Sequence, residues 1–151
     1  RSVAAQLRTA APVKPSGSPP LVVVPVSSLS LVARKGLAFA QDLSKRVVAV
    51  HVAADLAEAD SLRAQWEQVV GNMPLIVIES PYRMLLEPLL AYVDAVRKME
   101  PGSQILVLLP EFMPKHWWQH FLHNHTALRL KAALLSRPEV AVTSFPYQLT
   151  D

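Results

Sequence analysis

Five apolar runs, each short enough to be one strand and separated by stretches long enough for one helix, constrain this chain more than any other feature. They are LVVVPV (Leu21 to Val26), RVVAVHV (Arg46 to Val52), LIVIE (Leu75 to Glu79), ILVLL (Ile105 to Leu109) and VAVTSF (Val140 to Phe145). Runs with no polar alternation describe strands covered on both faces, as in parallel sheets. Strand, helix, strand, repeated to five strands, requires crossover connections of one hand. The expected fold is therefore α/β, a doubly wound five-stranded parallel sheet with helices on both faces, in the strand order 3-2-1-4-5.

The segments between the runs carry helical periodicity. Residues 29–44 set Leu29, Val32, Ala33, Gly36, Ala40 and Leu43 on one stripe, with Ser27 and Ser28 as capping hydroxyls and Gly36 permitting close packing on the sheet. Residues 58–70 turn Leu62, Trp66, Val69 and Val70 inward, and residues 84–99 carry a Leu86, Leu89, Leu90, Val93 stripe. Pro88 falls near the start of that third helix, where proline is tolerated. A fourth helix is predicted over 126–136, and a short one over 115–122.

Composition narrows the function classes. With 151 residues, 51% hydrophobic and 18% charged, the chain is one packed domain. It has no cysteine, so disulfides and thiolate metal sites are excluded. The formal net charge is +3, yet no acid precedes Asp42, while Arg1, Arg8, Lys14, Arg34 and Lys35 do. Residues 1–20, ending in PVKPSGSPP, read as a linker or juxtamembrane leader, and residues 21–151 as the folded domain. The chain starts at Arg1 without a signal-peptide core, which suggests a piece of a longer protein. No basic stripe with interleaved aromatics is present, so nucleic acid is not an expected partner.

In an open α/β sheet ligands sit beyond the carboxyl ends of the strands, where the strand order reverses. The connections Ser27–Ser30 and Pro110–His125 would face that crevice. The second is long, has no glycine, and gathers His116, Trp117, Trp118, His120, His123 and Asn124. A phosphate cradle of bare backbone needs glycine, so the position of a nucleotide site is present without its usual chemistry. His116, His120 and His123 fall on one helical face, but Glu111 is the only carboxylate near them, which favours capping or stacking over a metal. No nucleophile elbow or paired carboxylate stands out, and neither enzyme activity nor a cofactor is expected. Tyr82 and the tryptophans offer flat faces, Arg83 and Arg129 can pair with phosphate, and Ser28, Ser30, Asn124 and Thr126 supply donors near helix starts. The same tryptophans suit a homodimer interface equally well.

The five-strand pattern resembles a universal stress protein-like domain. Members that bind ATP carry GxxG and a later GS or GT after strand four. The present segment, PEFMPKHWWQHFLHNHTALRLKAAL, has neither, which implies that ATP is not taken by that route. SPYR after the third strand, LHNHTALRLKAAL and the late SFPYQL are similar to the C-terminal cytosolic domain of amino acid–polyamine–organocation superfamily transporters, in particular the KimA-type potassium importers. That resemblance implies a regulatory domain on the cytoplasmic side of the membrane, tethered to its own transmembrane domain, working as a homodimer and sensing cyclic di-AMP. Ser28-Leu29-Ser30 also resembles the SxS of cyclic di-AMP-binding domains in KdpD sensor kinases, whose second-strand FTAxY is matched here by Ala49 and by His51 in place of Tyr. This adds His51 to the ligand-binding candidates.

Overall fold

The computed structural model describes residues 11–80, 86–113 and 125–148. The elements in chain order are β1 (Leu21–Pro25), α1 (Leu31–Leu43), β2 (Arg46–Ala53), α2 (Leu56–Val69), β3 (Leu75–Glu79), α3 (Leu86–Met99), β4 (Ile105–Met113), α4 (His125–Leu135) and β5 (Val140–Gln148). All strand pairs are parallel and the order is β3-β2-β1-β4-β5, as the alternating pattern predicts.

Two separate cores follow from the pleat, since successive side chains on a strand leave opposite faces. Val22, Val24, Val47, Ala49 and Leu108 pack under Ala33, Leu37 and Ala40 of α1 and Trp66 of α2. Val23, Val48, Val50, Ile105, Val107 and Leu109 pack under Leu89 and Val93 of α3 and Leu130 and Leu134 of α4. The first two crossovers thus cover one face and the last two the other, which is the doubly wound arrangement.

The helix boundaries differ from the sequence reading in instructive ways. The cap of α1 is Ser30, not Ser27 or Ser28: its backbone is extended and its Oγ accepts the Ala33 N–H at 3.1 Å. Leu37 joins the buried stripe, whereas Leu43 is 45% exposed, the buried face passing from Ala40 to Ser44 instead. Helix α2 begins earlier than expected, at Leu56, because Asp55 caps it, accepting the Glu58 N–H at 2.8 Å. Glu58 reaches back to the Ala54 N–H at 2.7 Å. Val69 is exposed, one position off the stripe that buries Leu62 and Trp66. Strand β3 has the predicted bounds but lies at the sheet edge, so Ile76 is partly exposed despite the apolar run. The predicted helix over 115–122 lies outside the described residues.

Strands β4 and β5 are longer than predicted. Their ladder continues from Ile105↔Val140 to Met113↔Gln148, through Pro110. Helix α1 packs onto this extension: a Cβ built on Gly36 would lie 3.3 Å from Pro110 Cγ, and the Phe39 and Phe145 rings sit 5.2 Å apart. The predicted close-packing role of Gly36 is therefore observed, against a proline ring.

Candidate functional site

The strand order reverses between β1 and β4, and there the sheet divides. The β1–β4 ladder stops at Val23↔Val107, while β1–β2 continues to Pro25↔Val50 and β4–β5 to Met113↔Gln148. The backbone directions explain the stop. Along a strand, the peptide groups of alternate residues turn to opposite neighbours. Leu21 N–H donates to the Gln104 carbonyl at 2.9 Å, so the odd residues of β1 face β4. Ile105 N–H donates to the Glu139 carbonyl at 3.0 Å, so the even residues of β4 face β1. The next rung would run from Pro25 N to the Leu108 carbonyl and from Pro110 N to the Pro25 carbonyl. Neither nitrogen carries a hydrogen. Two prolines on facing strands remove both bonds of that rung, and the β1–β4 pairing ends there.

The same end of the sheet holds His51. Its ring is 2% exposed and lies on the α1/α2 face, in phase with Val47 and Ala49 along β2. Nδ1 is 2.8 Å from the Val26 carbonyl. A carbonyl only accepts, so Nδ1 carries the proton and Nε2 keeps its lone pair. Nε2 is buried and has no partner among the described residues. The bond fixes the chain where β1 ends and the Ser27–Ser30 connection begins. Ser28 is exposed in that connection, and Ser30 is exposed with its oxygen committed to the α1 cap.

The structure therefore brings Ser28, Ser30 and His51 to one end of β1 and β2. Thr126 falls in the first turn of α4, and Arg129 is exposed one turn further along. Tyr82, Arg83, His116, Trp117, Trp118, His120, His123 and Asn124 lie outside the described residues. Sequence reasoning passed over Pro25, Pro110 and Ser144. Ser144 stands opposite Leu109 on β5, and its Oγ is buried with no partner among the described residues. Proline inside an apolar run was the available signal, because a central strand tolerates it only where a ladder bond is given up.

Electrostatics at the opposite, amino-terminal end are different in kind. Arg137 Nε and Nη2 hold both oxygens of Asp94 at 2.7 and 3.0 Å, which keeps the Asp94 carboxyl below its ordinary range. Arg46 Nη2 holds both oxygens of Glu100 at 2.9 and 2.8 Å, and Nη1 reaches Ser103. An open depression of about 540 Å³ also lies there, lined in part by Gln41, Lys45, Asn72 and Met73. It is remote from the crevice. Among the described residues, no group of three or more His, Cys, Asp or Glu side chains is placed to hold a metal.

Fold and crevice together define a doubly wound α/β domain with a proline-split switch point. A sequence profile of the KimA potassium transporter C-terminal domain matches residues 18–147, and the chain belongs to that family. It is similar to the potassium transporter KimA of Bacillus subtilis (strain 168), with 34% identity over 130 residues. That match covers 84% of this chain and 21% of the relative, so the chain spans about a fifth of the transporter it resembles. No helix among the described residues is long and apolar enough to cross a membrane.

Proposed function

We propose that this domain is the cytoplasmic regulatory module of a potassium transporter and binds cyclic di-AMP in the crevice between β1 and β4. The observation that carries the reading is the divided switch point with a buried imidazole beside it, its Nε2 lone pair unspent. A buried acceptor without a donor is costly, and a ligand N–H or O–H relieves that cost. Exposed Ser28 and the start of α1 lie at the same end of the sheet, and a helix start favours an anion such as a phosphodiester. Membership of a transporter domain family supplies the context. Occupancy would favour one arrangement of paired domains, passed to the membrane portion through residues 11–20, which enter β1 at the opposite end. No catalysis is assigned to the crevice.

Isothermal titration with cyclic di-AMP, alongside ATP and cyclic di-GMP, tests this reading. Micromolar or tighter binding of cyclic di-AMP alone is expected. Absence of heat with all three nucleotides would sink it.

A second reading, a homodimerisation module that binds nothing small, draws on Leu31, Phe39 and Leu43 of α1, which are 46%, 39% and 45% exposed. Apolar surface of that kind on one helix suits a partner surface. Sedimentation of wild type and a Leu31→Glu/Leu43→Glu variant separates the readings. A dimer lost in the variant, with no nucleotide binding in either protein, would favour assembly.

A further inference from the structure

In a sheet whose strands are all parallel, each crossover helix runs back and ends where the next strand begins. The four helices therefore finish at one common end of the domain, the amino-terminal end of the strands. Helix α1 ends on Leu43, α2 on Val69, α3 on Met99 and α4 on Leu135. All four side chains are exposed, Val69 by 52%, Leu135 by 64% and Met99 by 81%. A single exposed apolar residue is ordinary on a protein surface. One on the last residue of every helix is not, because the dipole at a helix carboxyl end favours a cation there. Helices α1, α2 and α4 place no basic residue in the last turn, and only α3 does, with Arg97 and Lys98 beside Met99.

The same end receives the chain. Ser44, between α1 and β2, donates its Oγ proton to the Pro20 carbonyl at 2.6 Å, which fixes where residues 11–20 meet the sheet. That stretch carries Pro12, Pro15, Pro19 and Pro20 and an exposed Val13. Even fully extended it spans no more than about 35 Å. The chain matches a transporter C-terminal domain and covers 21% of its relative. On the transporter reading above, the membrane portion precedes this domain and lies off the end at which the leader enters.

We propose that the amino-terminal end of the domain is a docking surface for the lipid bilayer, with Leu43, Val69, Met99 and Leu135 entering the interfacial layer as four separate anchors. The proposal rests on the transporter reading and is independent of any nucleotide. The layout selects a bilayer over a protein partner. Helices α1 and α2 cover one face of the sheet and α3 and α4 the other, so the anchors stand on both sides of the strand ends. A protein partner needs a contiguous apolar patch. A bilayer interface takes separated apolar side chains while their polar neighbours stay among the headgroups. A second copy seated on Leu31, Phe39 and Leu43 of α1 would leave the other three anchors uncovered. Charge adds little, since Lys45 and Lys98 are exposed at this end but so are Asp42, Glu67 and Glu139. Four short anchors bind weakly by themselves, and the leader offsets this by holding the domain at an effective concentration on the order of millimolar.

The chain has no cysteine, so single-cysteine variants carry one label each. Met99→Cys and Leu135→Cys, with Leu31→Cys and Leu56→Cys as exposed controls at the helix starts, are labelled with an environment-sensitive nitrobenzoxadiazole dye. An N-terminal polyhistidine tag anchors each protein to vesicles of phosphatidylcholine and phosphatidylglycerol doped with a nickel-chelating lipid, in place of the natural tether. The dyes at positions 99 and 135 are expected to shift to shorter wavelength and to be quenched by spin-labelled lipid, and those at 31 and 56 to do neither. Adding Leu43→Ser and Val69→Ser to the Met99→Cys protein should diminish its shift and leave the thermal melt unchanged, because both side chains are exposed. No response at 99 and 135 overturns the docking surface. The tag supplies the tether, so that result counts against the surface and not against the transporter reading. Responses at 31 and 56 instead also overturn it, since the domain would then meet the bilayer with its other end. A shift at 99 that appears without vesicles and grows with protein concentration reassigns this end to a second copy. The sites are read independently, so a variant that fails to fold leaves the others to decide.

Discussion

The two ends of the sheet are built on opposite terms. At the amino-terminal end no buried side-chain nitrogen or oxygen among the described residues is left without a partner. Ser44 Oγ donates to the Pro20 carbonyl at 2.6 Å, fastening the entering chain. Trp66 Nε1 donates to the Met73 carbonyl at 2.8 Å while its ring fills the α2 side of the core. Arg46 and Arg137 clamp Glu100 and Asp94 with two bonds each. At the carboxyl end the ladder is cut by two prolines, and His51 Nε2 and Ser144 Oγ are buried without partners among the described residues. A fold can hold unspent polar groups at one end only if the other end and the cores supply the stability. The contrast teaches where to look for function: in the groups the fold leaves unpaired rather than in its best-made bonds.

Breaking the well-paired end gives the largest expected effect. Trp66→Ala removes a ring that is 4% exposed and its bond to Met73, and should cost about 3–5 kcal/mol in urea unfolding. Trp66→Phe keeps most of the packing and should cost about 1–2 kcal/mol, chiefly for the unpaired carbonyl. If both changes cost little, the amino-terminal end is not the anchor of the domain.

Gly36→Ala probes the join between the two ends. Alanine gains helix propensity of about 1 kcal/mol, but its Cβ meets the Pro110 ring at 3.3 Å, and a proline built into a strand yields little. Overpacking should outweigh the gain, giving a net loss of about 1 kcal/mol on a urea curve. A more stable variant would show that Pro110 and the β4–β5 extension move freely.

A smaller effect is expected at Asp94. Its folded value lies below the ordinary carboxylate range, chiefly through the Arg137 hydrogen bond. The stability it contributes is therefore complete above about pH 4 and is lost as pH falls through the lowered folded value. The carboxylate is 41% exposed, so solvent screening limits the effect to about 1 kcal/mol. Asp94→Asn should be destabilised relative to wild type at pH 7, with the gap closing in acid. A gap independent of pH would assign the effect to shape rather than charge.

The smallest change is expected from His51→Leu, which gives up the bond to Val26 but also removes the unpartnered Nε2. These offset, and unfolding should shift by less than about 1 kcal/mol. Nucleotide affinity, measured on the same protein, should fall. A large loss of stability would make His51 a structural prop of β1 and return it to the well-paired class.

Much of the fold was legible in order. The five runs predicted five parallel strands in the observed sequence, because strands covered on both faces leave no room for polar alternation. The Leu86, Leu89, Leu90, Val93 stripe was readable because its apolar spacing matches the helical turn. Ser27 and Ser28 were read as the caps of α1 where Ser30 is the cap, because three serines stand close together and only the entry angle of α1 selects among them. The ends of β4 and β5 were missed because Pro110 reads as a strand breaker, whereas its bare nitrogen faces the side on which no ladder forms.

The candidate site was legible in place more than in mechanism. Its position follows from strand order, and of the residues expected there the structure brings Ser28, Ser30 and His51 to one end of β1 and β2. That His51 is buried with one nitrogen bonded and one unspent depends on β1 and β2 lying side by side. The sequence by itself determined which residues are strands, which stripes are buried, and where along the chain the crossovers fall, since these follow from periods of two and 3.6. Tertiary structure alone decided that Pro25 and Pro110, 85 positions apart in the chain, stand on facing strands and remove the two bonds of one rung. A missing hydrogen bond between two strands is a property of their pairing, and no local pattern in either strand contains it.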